Sequence, residues 1–343
     1  MAAMFLGSNR SKKSVALDLK QADAQEALIA LVATADVLMH SMRPQKLAGL
    51  GLAPETLRLR FPRLVYASLV GFLPGPYAGK PAYDDVIQGM SGLADLMERQ
   101  GGEMRYLPTI AADKTCAHVA AHAILAALWQ RERTGQGAFV EIPMFESMVG
   151  FNLVEHYYGQ HFEPPLSAPG YPRVLAPWRR PYRTADGAVA MMPYTNLHWQ
   201  RFFTEVGAPE LARDARFVDI ASRTRHIAEL LELASGFTER HTTAHWIAVC
   251  ERLEIPAAPV AKLQDLPLDP HLVATDFFET VADPALGDVR FPGVPVRFDG
   301  QRAAITMPPR LGEHTRELLA QAGLGAAQID ALVDTRAAIA PAT

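Results

Sequence analysis

Two cysteines, Cys116 and Cys250, stand far apart in 343 residues. That is too few for a disulfide framework and lacks the clustered spacing of a zinc site; it fits a reducing compartment. No apolar run reaches the roughly 18 residues that span a bilayer. The one long apolar stretch, after Asp113, carries His118 and His122 and ends in charge. The opening "MAAMFLGSNRSKK" puts basic residues after a very short apolar run, the reverse of a signal peptide. Basic excess is missing too: 33 Lys and Arg against 37 Asp and Glu give a net charge of −4, which argues against a nucleic-acid partner. The phosphate-binding pattern GxGxxG and the P-loop are absent, because "GLGLAP" and "GLGAAQ" have neither the spacing nor the preceding strand. No serine elbow GxSxG occurs. The usual dehydrogenase, P-loop and esterase readings fall away. A cytoplasmic protein acting on small molecules is expected, with no nucleic acid, membrane or metal.

What is present suits a globular α/β protein: 49% hydrophobic and 20% charged residues, in a length that allows about two domains. "SVALDL" (14–19), "DVLMHS" (36–41) and "RLVYASLVGF" (63–72) read as strands, the first two separated by the helical "QADAQEALIALVATA". Strands alternating with helices of this length predict parallel βαβ units. Pro and Gly gather in "GFLPGPYAGKPAYDD", just past the third strand, where ligands bind in open α/β sheets. Helices are predicted at 85–97 and 114–133, the second closed by "RERTGQG"; "AFVEIPM" then reads as a strand and "MFESMVGFNLVEHYYG" as a helix. Residues 161–187 are rich in Pro and read as a linker. Beyond it, helices are predicted at 195–206, 222–237 and 242–253, and the tail reads as two short helices.

Asp113 opens the long helix. Aspartate there is a favoured N-cap, its carboxylate accepting a backbone N–H two or three residues on. Free amides and the helix dipole also hold a carboxylate aimed, as a carboxylate nucleophile requires. Both readings stand. His118 and His122 share a helix face but lack the Glu of a metalloprotease pair, and a satisfied, partly buried pair is expected. Arg10, Lys12, Lys13 and Lys20 crowd one strand; they are solubilising charges or partners for the phosphates of a nucleotide-like ligand. In "KPAYDD", Asp84 or Asp85 is expected to cap the next helix, leaving the other, Lys80 and the Tyr83 hydroxyl for polar work. Arg179, Arg180 and Arg183 are linker charges or a clamp for the second carboxylate of a dicarboxylic acid.

Several segments in order carry a resemblance: "NRSKKSVALDLK", "ADVLMHSMRPQKLAGLGL", "FPRLVYASLVGF", "GPYAGKPAYDDVIQGMSGL", "ADKTCAHVAAHAILAALWQRERTGQG" and "RLGEHT". Together they resemble the family III CoA-transferases, the group of formyl-CoA transferase, carnitine CoA-transferase and the bile-acid-inducible proteins. The resemblance implies a Rossmann-like open parallel sheet in a large domain, a smaller α+β domain, and an interlocked homodimer. The large CoA-binding domain would take 1–160, with 188–279 the small domain and 280–343 returning to the large one. It places the catalytic aspartate on Asp113 and implies coenzyme A as co-substrate, an acyl-CoA donor and a small carboxylic acid acceptor. CoA-binding positions fall on Leu17, Asp18, Leu19 and Lys20, on Ser41, Met42 and Arg43, and on Tyr83 and Asp84, with Lys20 and Arg43 the expected phosphate contacts.

The chain also departs from that pattern. Ser41 and Met42 replace the Asn-Phe common in the family. "YPRVLAPWRRPYRTADG" stands where formyl-CoA transferase has a glycine-rich lid, which argues against formyl or oxalyl substrates. Family members open with a strand–helix–strand segment before the point where this chain starts. A start set too far downstream and a shortened homologue are the two readings, and either leaves unpaired strand edges and apolar surface expected. The alternatives to a transferase are an α-methylacyl-CoA racemase-like enzyme and a non-catalytic CoA-binding homologue. Such racemases use a His-Asp pair where Tyr83-Asp84 stands here, and a phenol, ordinarily ionising near about 10, is a poor base at neutral pH.

Overall fold

The computed structural model describes residues 1–341; residues 342 and 343, the end of the expected C-terminal return, lie outside the described residues. Ten strands occur among the described residues: β1 (Ala16–Leu17), β2 (Val37–His40), β3 (Val65–Val70), β4 (Phe139–Pro143), β5 (Tyr182–Arg183), β6 (Ala188–Met191), β7 (Ala257–Pro259), β8 (Phe278–Asp283), β9 (Gly287–Pro292) and β10 (Ala338–Ile339). The fold is mixed α/β, with one parallel sheet and three antiparallel ones. The chain divides into two compact units. One comprises Met1–Gly79, Ala117–Pro143 and the chain from Leu263 onward; the other comprises Lys80–Cys116 and Met144–Lys262. No helix among the described residues is long and apolar enough to cross a membrane.

In the first unit β2, β3 and β4 pair in parallel, Val37 opposite Val65 and Tyr66 opposite Phe139. β3 is the centre, with Val65, Tyr66 and Ala67 wholly buried, as a continuous apolar run in a parallel sheet should be. The Tyr66 hydroxyl, buried with it, donates to the Leu52 carbonyl at 2.7 Å. β2 is a described edge, where Met39 is exposed. The long helix observed at Ala111–Thr134 hands the chain to β4 through "TGQG". A Cβ on Gly137 would stand 2.0 Å from the Leu64 carbonyl oxygen, so only glycine fits that approach.

The first predicted strand is a correction. Only Ala16 and Leu17 pair, and they pair antiparallel with β10 rather than joining β2 in the parallel sheet. The cause is local. The Asp18 carboxylate accepts the Lys20 N–H and the Gln21 side-chain amide, turning the chain toward the helix Ala22–Thr34. Meanwhile "RLGEHT" takes hold of the preceding residues: Gly312 N–H donates to Ser14 Oγ, Ser14 N–H to His314 Nδ1, and Ala16 N–H to Thr315 Oγ1. The two tail helices, Thr315–Gln321 and Ala326–Asp334, pack with Ala24 and Ala27 in a core that includes Leu319 and Ile329. The hairpin of β8 and β9 has no counterpart in the strands read from the sequence.

In the second unit β5, β6 and β7 form an antiparallel sheet. Helices Asn196–Glu205 and Thr243–Arg252 begin where their hydroxyl caps dictate: Thr195 accepts the His198 N–H and Thr242 the His245 N–H. The helix predicted at 222–237 is split into Ile220–Arg225 and Ile227–Thr238, and the one at 85–97 into Asp84–Met90 and Leu93–Gly101. Gly92, at φ +86°, makes the second break. The core is aromatic. Phe202 lies 5.9 Å from both Trp199 and Trp246 and 6.1 Å from Phe203, all of them buried. Phe202→Ala is expected to destabilise this unit by about 3–5 kcal/mol, read as a fall in the urea midpoint of its unfolding.

Candidate active site

The helix carrying Asp113 begins two residues earlier, at Ala111, so Asp113 sits inside the first turn and is not the cap. The preceding residue, Ile110, has no side-chain acceptor to offer. The orphan donors of that turn are met by the Asp84 carboxylate, 28 residues away in sequence: its Oδ1 accepts the Ala112 N–H at 2.8 Å and the Asp113 N–H at 3.0 Å. Those are the two amides a local aspartate cap would have taken. Asp84 therefore does not cap its own helix, whose N-cap Tyr83 makes no side-chain bond, and Asp85 stays at the surface. Because Asp84 occupies the amides, the Asp113 carboxylate is not folded back onto them. It meets no hydrogen-bond donor among the described residues and stands on the exposed side of the turn.

Gln88 holds the arrangement in place and was not singled out from the sequence. Wholly buried, it donates to Asp84 Oδ2 at 2.6 Å and to the Thr109 carbonyl at 3.1 Å, and its Oε1 accepts the Leu107 N–H at 2.9 Å. It therefore ties the helix Asp84–Met90 to the loop that feeds Asp113. One turn on, Ser91 accepts the Asn152 amide through its carbonyl, at 3.0 Å. Lys114 turns away from Asp113 to the Thr109 hydroxyl at 2.7 Å. Desolvation of its carboxyl, and then the negative charge of Asp84, push the Asp113 pKa up. Burial, then Asp113, raises the thiol of Cys116 one turn below. The only available sequence signal for Gln88 was its i,i+4 spacing from Asp84.

The chain matches the model of CoA-transferase family III over residues 1–315. It is a family III CoA-transferase. Rv3272 of Mycobacterium tuberculosis, named a probable fatty acyl-CoA transferase, is 32% identical over 94% of this chain and 84% of its own. The succinate–glutarate CoA-transferase of Agrobacterium fabrum is 28% identical over 93% of this chain and 80% of its own. The crystal structure of an aspartate-to-alanine mutant of Rv3272 superimposes with a TM-score of 0.78, at 30% identity, covering 91% of this chain and 83% of that one. The family is the one the ordered motifs resemble.

The remaining positions expected to meet CoA fall in two places. Tyr83 and Asp84 share the second unit with Asp113; Tyr83 is 73% exposed, whereas Asp84 is 9% exposed and spent on the helix amides. Leu17, Asp18, Leu19 and Lys20, like Ser41, Met42 and Arg43, belong to the first unit. Leu17 packs on the core around Leu319, and Met42 packs on the one around Leu57. Of the basic cluster, Arg10 donates to the Pro292 carbonyl, Lys12 to Asn9 and Lys13 to Glu317. Lys20 and Arg43 are exposed and have no ion pair among the described residues. His118 and His122 are also exposed, a correction to the partly buried pair expected, because the face they share with Leu125 and Trp129 is uncovered in the single chain. No group of three metal-capable side chains occurs among the described residues.

Asp84→Asn keeps an oxygen for the two amides and removes the charge beside Asp113. The Asp113 pKa is expected to fall toward the ordinary carboxylate range, followed by carboxyl-carbon NMR across a pH titration; an unchanged or higher pKa contradicts the electrostatic role given to Asp84.

Proposed function

We propose that this family III CoA-transferase moves CoA from an acyl-CoA donor to a small carboxylic acid with Asp113 as covalent carrier. The supporting observation is an unpaired carboxylate at the head of a helix whose amides Asp84 already holds. An Asp113 oxygen attacks the thioester carbonyl; the carbon–sulfur bond breaks, leaving a mixed anhydride and CoA thiolate. The thiolate then attacks the Asp113 carbonyl carbon, expelling the donor acid and forming an aspartyl-CoA thioester. The acceptor carboxylate reverses both steps, leaves as its CoA thioester, and restores Asp113. Each hard acyl transfer is divided into easier ones. The raised pKa suits the role, since a more basic carboxylate is the better nucleophile.

Lys20 and Arg43 are the proposed phosphate contacts; both are exposed and neither has an ion pair among the described residues. Leu17, Asp18, Leu19, Ser41, Met42, Tyr83 and Asp84 are the other proposed CoA-binding positions. We assign the parallel sheet to a Rossmann-like large domain and the working form to an interlocked homodimer, supported by Leu125 at 63% and Trp129 at 70% exposure one turn apart on a single helix. Two free, buried cysteines support a cytoplasmic setting.

Asp113→Asn is expected to lower CoA exchange by about 10³-fold or more, as removal of a nucleophile does. With the unaltered chain, hydroxylamine added after acyl-CoA is expected to leave a hydroxamate on Asp113, seen by peptide mass spectrometry. Deuterium entering C2 of a 2-methylacyl-CoA in deuterated water, with no acceptor acid present, would replace the transferase with a racemase.

A further inference from the structure

The second unit holds a cavity of about 240 Å³ built from residues 171–231, none of which belongs to the network around Asp113. Its floor is apolar, with Met191 and Leu231. Tyr194 and Trp199 supply aromatic walls, and Arg173 and Arg179 bring two guanidinium groups. No acidic residue lines it among the described residues, and neither arginine has a carboxylate partner there. Arg173 lies over the Tyr194 ring, 5.4 Å from its centre, and makes only a long 3.4 Å contact to the Thr224 hydroxyl. The backbone of Arg179 is pinned at both ends: its N–H donates to the Ala176 carbonyl at 2.9 Å, and its carbonyl accepts the Gln100 amide at 3.0 Å. The side chain it presents to the cavity is left without a bond among the described residues. Neither Arg180, which stacks 4.3 Å above Trp178, nor Arg183 lines the cavity.

Arg179 is exposed and Arg173 half-buried against the Tyr194 ring, so both positive charges are open to an anion that bridges them, and no carboxylate of the lining competes for them. Trp199 adds a second uncompensated group. It is 3% exposed, yet its indole N–H finds no acceptor among the described residues. Guanidinium groups match a planar oxyanion bidentately, and aromatic walls favour a flat apolar body. Drug-sized ligands take roughly 300–1,000 Å³, so this cavity suits something smaller.

We propose that the cavity is a binding site for a small carboxylate with a ring-sized apolar body, the carboxylate held by Arg173 and Arg179 and the body lying against Tyr194 and Trp199. The site does not depend on the covalent chemistry of Asp113, and it is tested on the full chain without CoA. Isothermal titration with benzoate is expected to give a Kd below about 1 mM. Benzamide, of the same shape without the charge, is expected not to bind. Arg173→Ala and Arg179→Ala are each expected to weaken benzoate by about tenfold or more, the loss of a charge-assisted bond. Succinate, which lacks the apolar body, is expected to bind at least about tenfold more weakly than benzoate. The proposal is overturned if benzoate shows no binding in that range, if benzamide binds equally well, if both arginine variants retain full affinity, or if succinate matches benzoate. The benzamide and succinate comparisons use the unaltered chain, so they can overturn the proposal even where a variant fails to fold.

Discussion

The Asp84 carboxylate gripping the amides of Ala112 and Asp113 is the contact on which the site depends. A helix start has more N–H donors than acceptors, and some group must meet them. Had Asp113 done so itself, its oxygens would have been spent on its own turn. Supplying the acceptor from a separate helix leaves the Asp113 carboxylate outward and uncommitted. The cost is a second negative charge close by, which adds to desolvation, the larger cause, in raising the Asp113 pKa. The amides and the positive end of the helix offset part of that repulsion, so two carboxylates can occupy one small region.

Such a contact is useful only if it is rigid. Gln88 supplies the rigidity by joining Asp84 to the Leu107 N–H and the Thr109 carbonyl, on either side of the loop that delivers Asp113. Because Gln88 is wholly buried, moving it would leave its own amide unpaired away from water, a penalty of about 1–3 kcal/mol. Asn152 braces the end of the same helix through Ser91. Groups fixed in this way need not reorganise when charge develops during a reaction, which is how a protein lowers a barrier through position.

What could be read from the chain was what local rules govern. Thr195 and Thr242 mark helix starts because a hydroxyl cap acts within three residues. "RLVYASLVGF" reads as a strand because its apolar run is short and bounded by turn signals, and β3 lies within it. Asp113 stood out because a charge at the head of an apolar helix needs a reason. The donor-and-acceptor exchange with Asp84 could not be read, since capping rules say nothing of an acceptor arriving from a distant helix. The same limit applies to β1. Its residues have strand character, but its partner was decided by Ser14 and Ala16 bonding to the distant "RLGEHT" segment, and the expected parallel neighbour lost to that contact. Arg10, Lys12 and Lys13 looked like a phosphate patch as letters, yet each has a partner within the chain.

The central claim is that one oxygen of Asp113 becomes the bridge between carrier and acid. Supplying the acceptor acid with both carboxylate oxygens as oxygen-18 tests it directly. When the acceptor attacks the aspartyl-CoA thioester, its labelled oxygen becomes the bridge of the anhydride; when CoA thiolate then takes the acyl group, that oxygen stays behind. The account expects heavy oxygen in the peptide containing Asp113, accumulating with turnover. CoA exchange that proceeds while that peptide keeps its ordinary mass would contradict it.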